Sequence, residues 1–516
     1  MRIFIKATLS LLLLIVPALL VQAQSKSLSG RMADTAMSRW KTTWELNPSR
    51  TERWSYEQGV LMKGIEGVWE NTADGDCFRF IQRSIDRFVN EDGTIKTYKV
   101  DEYNIDNVLN GRILLMLYKV TEKDKYRKAA ELLRQQLKTH PRTSEGGFWH
   151  KKIYPSQMWL DGLYMGEPFY AEYAALYHED ADFDDVARQF ILMETHARDS
   201  KTGLLYHGWD ESKKQRWANP KTGVSPNFWG RAMGWYGMAL VDTLEYFPKN
   251  HPKRDALIAI LNRLAVAIKK YQSPQSGLWY QILDKGRERG NYFEASASCM
   301  FVYTLAKGVR EGVLSPYLYL PVAEKGYRGI TQEFVEIESN GQVNLKGTVS
   351  VAGLGGNPYR DGSYDYYLSE KVVTNDPKGM GAFLMASTEM ELEANRSLGV
   401  GKTVLLDSYF NNETKKDFAG RVMPFHYKWD ELPNSGYSLW ARVWQGFGAK
   451  TSMLSEAPTR TNLRKASVYI IVDPDTKEET PEPHFIESQH IKAITEWVKA
   501  GGVLVLLGND VGNAEL

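Results

Sequence analysis

Between about residues 32 and 396 the apolar and polar positions of the chain follow a two-stroke pattern. Segments such as 125–138, KYRKAAELLRQQLK, and 255–271, DALIAILNRLAVAIKKY, carry their apolar residues on one helical face. Between segments of this kind lie six others, 56–69, 106–120, 168–177, 229–247, 294–309 and 378–394, that are apolar or small nearly all round. A helix apolar on one face lies on a surface, whereas one apolar on every side must be enclosed. The alternation therefore predicts an inner ring of six helices covered by an outer ring, an all-α (α/α)6 barrel over residues 32–396. Related Gly-aromatic turns, EGGFWH, KTGLLYHGW and QSGLWYQ, recur before inner helices around Gly147, Gly203 and Gly277, as one structural unit used several times.

After residue 396 the pattern changes to short runs rich in Val, Ile and Leu, KTVLLDSYF, ASVYIIVD and GGVLVLLGND, with an amphipathic helix expected over 486–500. Strand, helix, strand with Gly at the helix C-terminus predicts a small α/β domain with a parallel sheet over 402–516. Its last strand meets the end of the chain, which leaves room for the module to be incomplete. Its loops show neither a phosphate-cradling glycine pattern nor a nucleophile elbow, so a structural or substrate-gating appendage is expected. At the other end, Arg2 and Lys6 precede an apolar run to Leu20 and a small-residue site at Val21 and Ala23. This is the layout of a signal peptide over residues 1–23, too short in its apolar run for a membrane span. An exported mature chain without a membrane span, periplasmic or extracellular, is the expectation.

Composition narrows the function classes. A net charge of +1 over 516 residues supplies no basic field for a nucleic-acid backbone, so no nucleic-acid partner is expected. Two cysteines, Cys77 and Cys299, are too few for a disulfide scaffold or a Cys-based metal cluster, and the nine histidines are scattered without a His-Glu-x-x-His motif. No metal or other cofactor is expected. The aromatic content of 12%, including 15 Trp and 28 Tyr, favours a carbohydrate ligand.

Candidate chemistry gathers where the inner helices begin. Asp106 precedes NVLNGRILLML; Asp161 stands among Trp159, Leu160, Leu163, Tyr164 and Met165; Trp229, Arg231 and Trp235 open the fourth inner helix, with His207 on the turn before it. Because proline suits the first helical position and the residue before it avoids helical geometry, the third inner helix is predicted to start at Pro168, leaving Asp161 in a loop. Helices inserted in one sense open all their N-termini at one mouth. N-termini favour negative charge, so Asp106 is expected to stay ionised, whereas Asp161, walled by apolar groups, is expected to have a raised pKa and to donate a proton. Taken singly, each residue has a commoner reading: a cap for Asp106, core packing for the tryptophans, a hydrogen bond or ion pair for His207 and Arg231. Their joint placement at one mouth is what points to a site.

The segments YNIDNVLNGR, MWLDGLYMGEPFYAEYA, YHGWD, NFWGRAMGWYGMAL, SASCMFVYTLAKG and GLGGNPYRDGSYDYYLSEKVVTNDPKGMGAFLMAS resemble the unsaturated rhamnogalacturonyl hydrolases of glycoside hydrolase family 105, over roughly residues 38–394. The resemblance implies the (α/α)6 barrel and, as substrate, the 4,5-unsaturated uronic acid that a polysaccharide lyase leaves at a non-reducing end. It implies Asp161 as general acid/base, Asp106 as a second essential carboxylate, and His207, Trp229, Arg231 and Trp235 as the lining of the sugar pocket, with Arg231 and His207 holding a carboxylate or the next sugar and the tryptophans stacking on sugar faces. Pectin rhamnogalacturonan is the first choice of parent polymer, and ulvan-like or arabinogalactan-derived glucuronyl-rhamnose the alternative. A hydrolase of saturated glycosides and a non-enzymatic carbohydrate-binding protein are the rivals; the latter leaves the two carboxylates without a task. The module after residue 396 is outside the family's core and loosely resembles glutamine-amidotransferase-like folds, without a catalytic cysteine.

Overall fold

The computed structural model describes residues 26–46, 52–416, 420–433 and 435–508, and the leader expected over residues 1–23 lies outside them. Six outer helices, α1 (Leu28–Arg39), α3 (Gly75–Asp86), α5 (Asp124–Thr139), α7 (Phe183–Ala197), α9 (Arg254–Lys270) and α11 (Pro316–Glu333), alternate with six inner ones. The inner helices are α2 (Tyr56–Thr72), α4 (Gly111–Thr121), α6 (Leu160–Tyr177), α8 (Gly230–Tyr246), α10 (Ala295–Arg310) and α13 (Pro377–Asn395), and a short helix, α12 (Tyr364–Ser369), precedes the last. Each inner helix packs on the next, and α13 packs back on α2, closing the ring. The chain is therefore an (α/α)6 barrel. Inner and outer roles follow burial: every residue of α10 from Ala295 to Val309 is buried, while α9 buries only the stripe through Leu257, Leu261, Leu264 and Ile268. Small residues let the inner helices touch. A Cβ on Gly64 of α2 would stand 2.8 Å from the Gly381 carbonyl of α13, so these two helices cross backbone to backbone where the ring closes.

Two helix starts differ from expectation. The third inner helix begins at Leu160 and runs through Pro168, which places Asp161 in its first turn instead of a loop. An interior proline costs a helix about 3 kcal/mol through its missing N–H and its clash with the preceding turn. Here every residue from Leu160 to Ala174 except Asp161 is buried, and large side chains such as Tyr164, Phe169 and Tyr170 contribute roughly 1.5–3 kcal/mol each, which outweighs that cost. Asp106 does not cap a helix either. It lies in a 3-10 turn, Ile105–Val108, capped by Asn104, and α4 starts only at Gly111.

The second domain is a four-stranded parallel sheet in the order Lys450–Leu454, Thr403–Asp407, Val468–Val472, Val503–Leu507. The helix Ser488–Lys499 covers one face through Ile494 and Trp497, packed on Leu405 and Tyr469; the helix Ser438–Gly446 covers the other through Ala441, beside Val404 and Ile470. The strand Lys450–Leu454 and the helix Ser438–Gly446 were not expected. That strand is an edge with Lys450, Ser452 and Met453 exposed, so it lacks the continuous apolar run of its neighbours.

The helix Ser438–Gly446 lies across the base of the barrel, at the C-terminal ends of the inner helices. Its Leu439 packs on the barrel core, and Arg442 pairs with Glu70 of α2 at 2.6 Å. Between them lies a cavity of about 510 Å³ lined by charged side chains of both signs. Beside it Asp242 of α8, fully buried, accepts from Arg112 Nη1 at 2.8 Å, Lys307 Nζ at 2.8 Å and Tyr303 Oη at 2.6 Å, while Lys307 also reaches Glu245 at 2.8 Å. Burial alone drives the Asp242 carboxyl up, but Lys307 and Arg112 more than reverse this and hold it well below the ordinary range; by the same opposition, with Lys307 the main counterweight, Glu245 is lowered to about 2.

Carboxyls depressed in the folded state contribute stability above their unfolded values near 4 and lose it as pH falls further. Thermal melting should accordingly show a stability plateau at neutral pH and a fall between about pH 4 and 2. Asp242→Asn, which strands buried cations, should cost about 3–5 kcal/mol at neutral pH and flatten that acid dependence.

Candidate active site

The opposite end of the barrel gathers the N-termini of the inner helices. Tyr56 opens α2, Asp106 precedes α4, Asp161 lies in the first turn of α6, and Trp229, Glu294 and Asp376 cap α8, α10 and α13. Contacts across the mouth confirm the convergence. Glu57 lies 3.8 Å from Lys378, the Glu294 carboxylate accepts from the Val349 amide at 2.9 Å, and Arg231 donates to the Val349 carbonyl at 2.5 Å.

Local backbone pairing sets Asp161 against His207. The strand Gln157–Trp159 pairs antiparallel with Gly208–Asp210, Trp159 opposite Gly208, and the Leu160 amide donates to the His207 carbonyl at 3.0 Å. Glycine at 208 allows this close approach, since a Cβ there would stand 2.7 Å from Leu354 Cδ1 and 3.0 Å from Trp159 Cδ1, crowding both. In consequence His207 Nε2 lies 3.0 Å from Asp161 Oδ2. The contact falls short of an aligned hydrogen bond, and neither atom has another partner among the described residues. On its far side, His207 Nδ1 is 2.7 Å from the hydroxyl of Tyr367, on α12.

Asp161 does not have the raised pKa expected of it. Burial does push the carboxyl up, but the His207 imidazole beside it, helped by the contact itself and by His150, brings it below the usual carboxylate value. Its sequence neighbours suggested only the apolar wall. The compensating imidazole arrives from 46 positions further along, through strand pairing.

Asp106 meets a second imidazole. Its carboxylate reaches Lys151 Nζ at 2.6 Å and lies 3.5 Å from His150 Nε2. His150 is buried, stacks on Trp159 at 4.3 Å, and is pushed down to about 4 by desolvation, against the pull of Asp106, so it is neutral at physiological pH. Its Nδ1 would come within 3.1 Å of a Cβ on Gly162, next to Asp161. Asp106 contacts this ring, and Asp161 lies within reach of its charge. Tyr154 also stacks on Trp159, at 5.0 Å, and is tied by its hydroxyl to Arg360 at 2.8 Å; the Trp217 amide donates to the Tyr359 hydroxyl at 3.0 Å. Two loops, carrying Trp217 and residues 353–362, therefore build an aromatic rim over the carboxylates.

The other four residues singled out in the sequence lie at this mouth but behind its surface. His207 has no exposed area, and Trp229, Arg231 and Trp235 have 1% each. Trp229 donates its indole N–H to Gln281 and packs beside His207, Trp235 stacks on Tyr164 at 4.9 Å, and Arg231 bonds Val349 and Ser296 with its guanidinium over Trp229. No ring face of either tryptophan is open to stack on a sugar, and Arg231 is engaged by the mouth loop. Their observed place is support for the site. Three residues at the site went unassigned in the sequence. His150 ends the aromatic turn EGGFWH and Lys151 follows it, which is a usable signal; Tyr367 pairs with a histidine 160 positions away, for which the sequence offers none. Among the described residues no cluster of three or more His, Cys, Asp or Glu side chains is placed to hold a metal ion.

Two carboxylates under an aromatic rim, at the N-terminal mouth of an (α/α)6 barrel, define a glycoside hydrolase. The chain belongs to Glycosyl Hydrolase Family 88, whose profile matches residues 28–393. It is similar to the solved family 105 glycoside hydrolase of C. acetobutylicum ATCC 824, with 51% identity, 71% of this chain and 99% of that chain covered, and a TM-score of 0.68. It is 41% identical over 235 residues to protein Atu3128 of Agrobacterium fabrum, covering 45% of this chain and all of that one. It is 28% identical over 298 residues to the unsaturated rhamnogalacturonyl hydrolase YesR of Bacillus subtilis, covering 56% of this chain and 78% of that protein.

Since Gly208 sets the approach of His207 to Asp161, Gly208→Ala should cost about 1–3 kcal/mol through overpacking, seen as a lower melting temperature. Turnover should fall further than the loss of folded protein accounts for, measured at a temperature where the variant is still folded.

Proposed function

We propose that the enzyme removes 4,5-unsaturated uronic acid from the non-reducing end of lyase-generated oligosaccharides, by hydration of the C4=C5 double bond, with rhamnogalacturonan fragments of pectin as the first substrate class. The observation that carries this reading is the convergence of Asp106 and Asp161 on His150 beneath the aromatic rim, with Asp161 the only residue between Leu160 and Ala174 that is not buried. The similarity to a rhamnogalacturonyl hydrolase supports the choice of sugar.

In this reading Asp161, protonated, gives its proton to C4 of the unsaturated ring. Positive charge then develops at C5 and spreads onto the ring oxygen. Water adds at C5 and returns a proton to the Asp161 carboxylate, so the acid is regenerated. The resulting hemiketal opens to a ketone at C5, and the hemiacetal left at C1 collapses and expels the remaining saccharide. Asp106, held by Lys151, stands where it steadies the developing positive charge or orients a sugar hydroxyl. Lys151 itself, and Arg360 at the rim, supply positive charge for the uronate carboxylate. The apolar rim displaces water from Asp161 when a sugar is bound, which favours the protonated carboxyl the first step needs. Export is part of the proposal and rests on the leader pattern around Arg2, Lys6 and Ala23.

The test is turnover of an unsaturated oligouronide, followed as loss of the conjugated-alkene absorbance, beside the saturated oligomer of the same length. The unsaturated substrate should be consumed and the saturated one left intact. Asp161→Asn should lower kcat by about 10²–10⁴-fold. Consumption of the saturated oligomer, or near-wild-type rates in that variant, would refute the reading.

A further inference from the structure

The site holds a tension. A general acid must carry a proton, yet His207 at 3.0 Å outweighs burial and holds the Asp161 carboxyl below its ordinary value. The pair can hold one added proton, as carboxylate with imidazolium or as carboxylic acid with neutral imidazole, or none, as carboxylate with neutral imidazole. Only the second is ready for the chemistry just described. What decides between them lies on the far side of the ring, at Tyr367.

Tyr367 is fully buried on α12, packed between Trp229 at 5.8 Å and Tyr366 at 5.2 Å, and its backbone carbonyl is fixed by Gln281 at 3.2 Å. Burial keeps its phenol protonated at any working pH. Among the described residues, the only hydrogen-bond partner of that hydroxyl is His207 Nδ1, at 2.7 Å. A buried O–H without an acceptor is costly, so the hydroxyl donates and Nδ1 accepts. An imidazole that accepts at Nδ1 carries its own hydrogen on Nε2, the nitrogen facing Asp161 Oδ2. A second proton on the ring would have to sit on Nδ1, and the phenolic hydrogen would then be stranded.

We infer that Tyr367 is a positioning residue: its buried hydroxyl fixes His207 as the neutral Nε2–H tautomer, so that a proton taken up by the site when substrate binds goes to Asp161 and not to the ring. Nε2–H then faces the buried Oδ2, and the added proton is carried by the other carboxyl oxygen, Oδ1. The other charged and titratable groups around this chain are Asp106, His150 and Lys151 on the side of Asp161, and Arg360, Asp361 and Tyr366 on the side of Tyr367. None of them offers the Tyr367 hydroxyl a second acceptor. The inference rests on the proposed role of Asp161, but the tautomer is measurable without turnover.

Two measurements test it on the full chain. Nitrogen-15 NMR of histidine-labelled protein near pH 7 should show His207, assigned by its loss in a His207 variant, as neutral with hydrogen on Nε2, and Tyr367→Phe should lose that fixed tautomer. Glutamine reproduces the neutral ring's acceptor toward Tyr367 and donor toward Asp161. His207→Gln should therefore lower kcat by no more than about tenfold and leave the alkaline limb of the kcat–pH profile within about half a unit of wild type. An imidazolium signal for His207 near pH 7, or an alkaline limb displaced upward by the one to three units typical of a lost neighbouring charge, would overturn the inference. Should wild-type protein consume no unsaturated uronide, the proposed activity fails and the NMR result alone decides the tautomer.

Discussion

Helices enclosed on every side can satisfy their end groups only at the two ends of the barrel, and in this protein all six inner helices point the same way. Each carries about half a positive charge at its N-terminus and half a negative charge at its C-terminus. One mouth thereby becomes a place where carboxylates are stable, and it holds Asp106, Asp161, Glu294 and Asp376. The other becomes a place for cations, and there Lys119, Lys307 and Arg310 occupy the last turns of α4 and α10. The acidic mouth and the ion-paired base are two results of one packing arrangement.

That arrangement was legible in the sequence because burial of a helix shows in its composition. The run ASASCMFVYTLAKGV has no polar face, and α10 is buried along it; DALIAILNRLAVAIKKY has one, and α9 is half exposed. Local rules were less reliable where packing overrode them. Pro168 suggested a helix start, but the buried surface of α6 carries the helix eight residues further back. The edge strand Lys450–Leu454 left too little apolar signal to be seen at all.

The site divides in the same way. Asp106 and Asp161 stand out because a carboxylate before or among apolar runs is unusual, and both reach the mouth. The pKa of Asp161 is not legible in the sequence because it depends on His207, which strand pairing and Gly208 bring beside it from a distant segment. Trp229, Arg231 and Trp235 stand at the mouth but are almost entirely buried there. Depth is a tertiary quantity: a tryptophan at a helix N-terminus has the same sequence signature whether it faces a sugar or, as Trp229 does, the back of a histidine.

The helix Ser438–Gly446 gives the second domain a consequence for traffic. With Arg442 and Leu439 seated under α2, and the Asp242 ion pairs crossing the interior above them, nothing as large as a sugar passes along the barrel axis. What enters must leave by the same door.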